Sequence, residues 1–452
     1  MRRGALACAA LAVFAERFAL RARVPDDWDA IGFVRAIGEF DLEKLQPHFP
    51  GYPVYVALAR AAHFIGLAPL DAATAVSAAA SAATAVGVWR LARASSEAAA
   101  WCALALYAAA SLPWLDGGAA SSDATATALA TWAFVALAER RAGLGALAIA
   151  LMLGARASYW PLALSWAIGL LLRGGSWRAA LAFFSVGSAI WAVPLLALVG
   201  ARRYLALGRA HLGGHFQSWG GSIATRPGLG LRSLVFARDL FFDGLAPRAW
   251  ALAALLALAT VGVALRPPER RAQAWAALVF APYALWVLLA QNVVEQPRHL
   301  LPLVVLVVIA LAWSARRALV VTLPAIALAA SAPLAWAHAH EAPAAAQAAD
   351  WLAARAQSAG GSVAVFGGAS IRFFENLAGV GAHPRTWLSE VDVDLERLDS
   401  LPREIWITDE VELDAARAPR VSDGPRFCRD ARLDRARPCL ALRRYTIGGT
   451  MP

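Results

Sequence analysis

The chain has 452 residues, 59% of them hydrophobic and 16% charged, and its mean hydropathy is +0.52. Soluble domains carry roughly 25% charged residues, so this deficit excludes an ordinary water-soluble globule. The formal charge of +10 is not read as a nucleic-acid signal, because Arg residues fall in short clusters between apolar runs, the pattern of membrane topology control.

Apolar runs long enough to cross, or nearly cross, a hydrocarbon core of about 30 Å fall near 4–20, 70–89, 97–114, 123–138, 142–156, 159–172, 179–200, 249–265, 273–290, 300–314 and 318–338. The expected architecture is an all-α bundle of about eleven transmembrane helices over 1–340, with a first outer loop 21–69 and a long outer loop 201–248. The first run, behind Arg2 and Arg3, reads as an uncleaved span. Arg90 and Arg93, Arg140 and Arg141, Arg173 and Arg178, Arg266, Arg270 and Arg271, and Arg316 and Arg317 then all fall on one side. By the positive-inside rule that side, with the N terminus, is cytoplasmic, which predicts a multi-pass protein of the inner (plasma) membrane. Counting 52–67 as a crossing would invert every later cluster, so it reads as an interfacial helix. The run Ala72–Trp89, rich in small residues, is expected inside the bundle.

After His338 the composition turns polar. Residues 341–452 read as a small extracytoplasmic α/β domain, with strands at Ser362–Phe366, Glu404–Thr408 and Leu440–Ile447. Cys428 and Cys439, two of four cysteines, are expected to pair there if the compartment is oxidising.

The first outer loop holds Asp26-Asp27-Trp28-Asp29 and then Gln46-Pro47-His48-Phe49-Pro50-Gly51-Tyr52-Pro53. Three carboxylates in four residues also suit a solvated loop, but Trp28 among them argues for a segment fixed at the interface. A carboxylate held partly dry gains proton affinity and suits general-base work on an attacking hydroxyl or amine. Asp116 and Asp123 bracket the outer turn after the third span, and Gln296-Pro297-Arg298-His299-Leu300-Leu301-Pro302 begins a late one. Arg298 suits phosphate oxygens as well as an anchoring role. His48, beside Pro47, has a stiffened backbone. His211 and His215 are at i, i+4, the spacing of a metal pair on a helix, but Gly213-Gly214 is expected to break that helix. Arg156, near Tyr159 and Trp160, reads as an interface anchor.

A basic start, one span, an outer loop with an Asp cluster, and His-x-Pro-Gly-Tyr-Pro leading into a helix resemble the C-type membrane glycosyltransferases. The likeness is to the protein O-mannosyltransferase and aminoarabinose-transferase branch, over roughly 1–315. Asp116 to Asp123 and the Arg298-His299-Leu300-Leu301-Pro302 stretch agree with it. The resemblance implies a polyprenyl-phosphate-linked sugar donor, a glycan, lipid or protein acceptor, and inverting transfer on the outer face among membrane lipids. No cofactor is assigned, a divalent metal is left open, and no metal ligand is named. The catalytic base maps to Asp26, Asp27 or Asp29, with Asp27 favoured because it precedes Trp28. Donor and substrate contacts are expected from Arg298, His48, His299, Tyr52, Asp116, Asp123, His215 and Trp219. The competing reading, a transporter or flippase of a lipid-linked or small-molecule substrate, predicts charges in mid-span, and the acidic residues instead concentrate in loops.

Overall fold

The computed structural model describes residues 2–225, 228–248, 250, 251, 254, 270–314, 319–416 and 418–447. The expected span 249–265 and Arg266, Arg316 and Arg317 lie outside the described residues, save for 250, 251 and 254. The chain forms two compact units, one of 1–22 with 32–339 and the other of 23–31 with 340–452.

The first unit is helical. Its centre is the helix Pro69–Ala92, packed against the helices Arg2–Ala19, Pro53–Phe64, Glu97–Ala109 and Ser122–Ala138. Its Ala, Ser, Thr and Gly side chains let neighbours approach: a Cβ on Gly87 would stand 2.6 Å from Thr131 Cγ2, contact that only a small-residue stripe permits. The inward placement expected of this helix is found. The helix Trp177–Val199 is the opposite case, mostly uncovered, with Leu181, Val186, Val193 and Leu198 exposed, an apolar surface suited to lipid.

Among the described residues, three helical stretches are long and apolar enough to cross a membrane, Pro69–Ala92, Trp177–Val199 and Val320–Ser358, or four with one bent pair. That pair, Glu97–Ala109 and Ser111–Gly118, replaces the straight run expected over 97–114 and bends by 59°. Pro113 accounts for the break: in a continuous helix its ring would meet the carbonyl of Ala109. The connection over 201–248 contains the helices Ala201–Gln217 and Leu229–Arg238. The first of these runs unbroken through Gly213-Gly214, which corrects the expected break.

The second unit carries five strands: β1 (Val363–Gly367), β2 (Val380–Pro384), β3 (Glu404–Thr408), β4 (Val421–Cys428) and β5 (Cys439–Tyr445). Their order is β2-β1-β3-β5-β4, with β1 parallel to β2 and β3 and the pairs β3–β5 and β4–β5 antiparallel. One sheet face packs Val363, Val365, Trp406 and Leu442 with Leu352 of the helix Ala344–Ser358. The other packs Ala364, Phe366, Ile405 and Ile407 with Leu388 and Val391 of the helix Leu388–Leu395. Covered on both faces, β1 and β3 read as continuous apolar runs. Cys428 and Cys439 are disulfide-bonded across the β4–β5 hairpin, as expected.

Candidate functional site

In the first unit, the polar centre is built on Asp123. It lies in the first turn of the helix Ser122–Ala138, where peptide dipoles favour negative charge. Its side chain is buried, with Arg156 Nε 2.8 Å from Oδ1, Arg298 Nε 3.6 Å from Oδ2 and His299 Nδ1 4.0 Å from Oδ1. Arg156, which follows the helix Ala142–Ala155, also donates from Nη1 to Ser122 Oγ at 3.0 Å. It is 5% exposed, which corrects its reading as an interface anchor; the signal missed was a buried acidic partner on another helix. Arg298 and His299 enter on a short 3-10 turn, held by Tyr283, whose hydroxyl donates to the His299 carbonyl at 2.8 Å. Asp116, on the bent helix Ser111–Gly118, is also buried, and its Oδ1 accepts the Ser121 hydroxyl at 2.6 Å.

The His-x-Pro-Gly-Tyr-Pro stretch leads to the same centre. Gly51 (φ 99°) and Tyr52 (φ 48°) take left-handed conformations that turn the chain into the helix Pro53–Phe64. A non-glycine residue held there costs of order 1–3 kcal/mol, so the turn is over-determined by its packing. The Tyr52 ring lies 5.7 Å from the Arg156 guanidinium, and its hydroxyl shares a 2.5 Å hydrogen bond with His48 Nε2. His48 stacks on His211 at 5.7 Å, and His211 meets Trp219 edge-on at 5.0 Å. A file of side chains thus runs Trp219–His211–His48–Tyr52–Arg156–Asp123–Arg298. It gathers five of the eleven residues expected at the site, Trp219, His48, Tyr52, Asp123 and Arg298, and links them through Arg156 and His211.

Metal binding finds little here. His215 donates Nε2–H to the Ala290 carbonyl at 2.8 Å, and its ring meets Trp219. Among the described residues, no group of three or more His, Cys, Asp or Glu gathers to hold a metal ion.

The three aspartates of the first loop belong to the second unit. Asp27 precedes the helix Trp28–Gly38 and caps it: Oδ1 accepts the Ala30 N–H at 2.9 Å, which fixes the carboxylate's direction. Asp26 accepts from Arg429 Nη1 at 2.9 Å, and the Arg372 guanidinium lies 5.2 Å from the Trp28 ring. Asp29 stands in the first turn of the helix. Asp434 shares this environment: burial raises its carboxyl above the usual range, Asp27 and Asp26 add to the rise, and Arg429 opposes it. The segment is therefore fixed rather than freely solvated.

No protein-family model and no curated protein sequence matches the chain. Two solved structures share its fold over its whole length. One is the crystal structure of ArnT from Cupriavidus metallidurans bound to undecaprenyl phosphate, at TM-score 0.58 and 14% identity, covering 99% of this chain and 98% of that one. The other is the same protein in the apo state, at TM-score 0.60 and 12% identity, covering 100% of both chains. At these identities the likeness is one of fold, and it agrees with the resemblance carried by the first loop and the late Arg-His-Leu-Leu-Pro stretch.

Proposed function

We propose that this chain is a multi-pass membrane glycosyltransferase that moves a sugar from a polyprenyl-phosphate-linked donor to an acceptor on the extracytoplasmic face. The observation that carries the reading is the full-length likeness in fold to ArnT, one of whose structures holds undecaprenyl phosphate. The proposed topology has about eleven spans, a cytoplasmic N terminus and an outer C-terminal domain over 341–452.

In the proposed reaction, Asp27 takes the proton from an acceptor hydroxyl or amine as that atom attacks the anomeric carbon. The bond from that carbon to the phosphate oxygen breaks, its electron pair leaves with the lipid phosphate, and the anomeric centre inverts. Capping the helix Trp28–Gly38 aims the Asp27 carboxylate, and such preorientation is what a general base needs. Asp29 is the alternative base. Arg298, the less buried of the two guanidiniums on Asp123, is assigned to the phosphate, where a charge-assisted bond strengthens as the leaving group gains charge. Asp123, paired with two arginines, is suited to hold them in place. His48, Tyr52, His299, Asp116, His215 and Trp219 complete the substrate surface in this reading.

The test is incubation of the purified protein with a panel of polyprenyl-phosphate sugars, scoring release of lipid phosphate. Release with at least one donor supports transfer. No release with any donor, together with movement of labelled lipid across proteoliposomes, would favour a flippase.

A further inference from the structure

We infer that Arg429 is a positioning residue for the acidic segment 26–29, and that the Cys428–Cys439 disulfide fixes Arg429 for that task. The kinetic part of this inference rests on the glycosyl-transfer reading; the structural part does not.

Arg429 has 1% of its side chain exposed, and its Nη1 is 2.9 Å from Asp26 Oδ1. Asp26 is bonded in sequence to Asp27, the cap of the helix Trp28–Gly38. A pull on Asp26 is therefore transmitted through one peptide to the carboxylate proposed as base. On its own side, Arg429 leaves the β4–β5 hairpin directly after Cys428, which is disulfide-bonded to Cys439, and its N–H donates to the Pro438 carbonyl at 2.7 Å. The covalent bond at Cys428 and the hydrogen bond from the Arg429 N–H together hold the arginine's backbone where it leaves the hairpin end. Arg372, also buried, lies over the Trp28 ring two residues along and holds the same segment from a second point. A buried ion pair is a poor source of net stability, because desolvating both charges offsets their attraction. What it does supply is direction, and the planar guanidinium gives more of it than an ammonium would.

The experiment uses the full-length protein in detergent and reads hydrogen exchange and kinetics side by side. Arg429→Gln should raise amide exchange in peptides covering 23–38, since a segment that loses a buried anchor opens locally. Asp26→Asn, which removes the charge from the other partner, should loosen the same peptides even if Arg429→Gln folds poorly. In turnover, Arg429→Gln should lower kcat roughly 10- to 100-fold, the scale of a small misplacement of a reacting group, with KM for the donor nearly unchanged. Arg429→Lys should recover only part of the loss. Reducing the disulfide in the wild type should loosen 23–38 in the same way, and should add little in Arg429→Gln, because both changes break one linkage. Unchanged exchange across 23–38 in Arg429→Gln and Asp26→Asn would overturn the tether. Raised exchange with kcat intact would overturn the positioning role. A wild type that releases lipid phosphate from no donor would sink the glycosyl-transfer reading instead, and the exchange arm would still decide the tether.

Discussion

Arg156 Nε lies 2.8 Å from Asp123 Oδ1, and neither side chain reaches solvent to any useful extent. Arg298 approaches the other carboxylate oxygen at 3.6 Å. Removing one partner of a buried pair leaves the other charge uncompensated, at a cost of about 3–5 kcal/mol. Asp123→Asn should therefore lower the thermal midpoint of the purified protein strongly, because two guanidiniums lose their anion together. Arg156→Met in the Asp123→Asn background should cost less than the sum of the single changes, since the residues share one interaction. Strictly additive losses would show that the pair is not coupled.

Much of the second unit was legible before its structure, and the failures have one physical cause. β1 and β3 lie in the sheet interior with both faces covered, so Val363 to Phe366 and Ile405 to Ile407 are unbroken apolar runs. The two strands that sequence reading missed, β2 and β4, are the two edges. Edge strands tolerate Pro and polar residues: Pro384 ends β2, and Ser422, Asp423, Gly424 and Pro425 sit in β4 beside a register shift. In the first unit, the residues expected at a site were named from local motifs, and the structure gathers His48, Tyr52, Asp123, Arg298 and His299. Arg156 was misjudged because its neighbours in sequence are interfacial aromatics, whereas its partner is 33 positions away on another helix. The Asp26–Arg429 pair, 403 positions apart, left no trace in local pattern.

The disulfide gives a direct chemical readout. Cys428 and Cys439 should resist thiol reagents in the native, unreduced protein and react only after reduction. Replacing both hairpin cysteines by Ser should cost about 2–4 kcal/mol, the usual range for a native crosslink. Two reactive thiols in the C-terminal unit before reduction would show that the bond does not form.

Asp434 carries a pH signature. Its carboxyl is raised, first by burial and then by the charges of Asp26 and Asp27. A raised carboxyl binds its proton more tightly in the folded state than in the unfolded one. Its favourable contribution is complete below the unfolded carboxylate pKa of about 3.9 and is lost as pH rises through the folded value. At neutral pH the ionised group is therefore a cost. Asp434→Asn removes the titration and keeps an acceptor for the Arg437 N–H, now 2.9 Å from Asp434 Oδ1. The variant should melt higher than the wild type near neutral pH, and the difference should vanish in acid. A constant difference across that range would mean that Asp434 does not titrate abnormally.

The sharpest test separates two kinds of residue proposed for the transfer. Asp27→Asn keeps the helix cap, because Asn accepts the Ala30 N–H as Asp does, and it removes only the basic oxygen. General-base catalysis contributes about 10²–10⁴-fold, so turnover should fall by that much while donor binding and the thermal midpoint hold. Asp27→Ala should lose the same rate and in addition about 1 kcal/mol of stability with the cap. Asp29→Asn should leave most turnover if Asp27 is the base, and should take its place as the deleterious change if it is not. Arg298→Ala acts at the other end of the reaction. Losing a hydrogen bond to a charged group costs about 1.5–3 kcal/mol, so donor affinity should weaken roughly 10- to 150-fold. Run together, a donor-binding assay and a turnover assay place Asp27→Asn and Arg298→Ala in different quadrants. If Asp26, Asp27 and Asp29 can each become Asn with near-normal turnover, the loop carries no base, and the flippase reading gains the ground that the transferase loses.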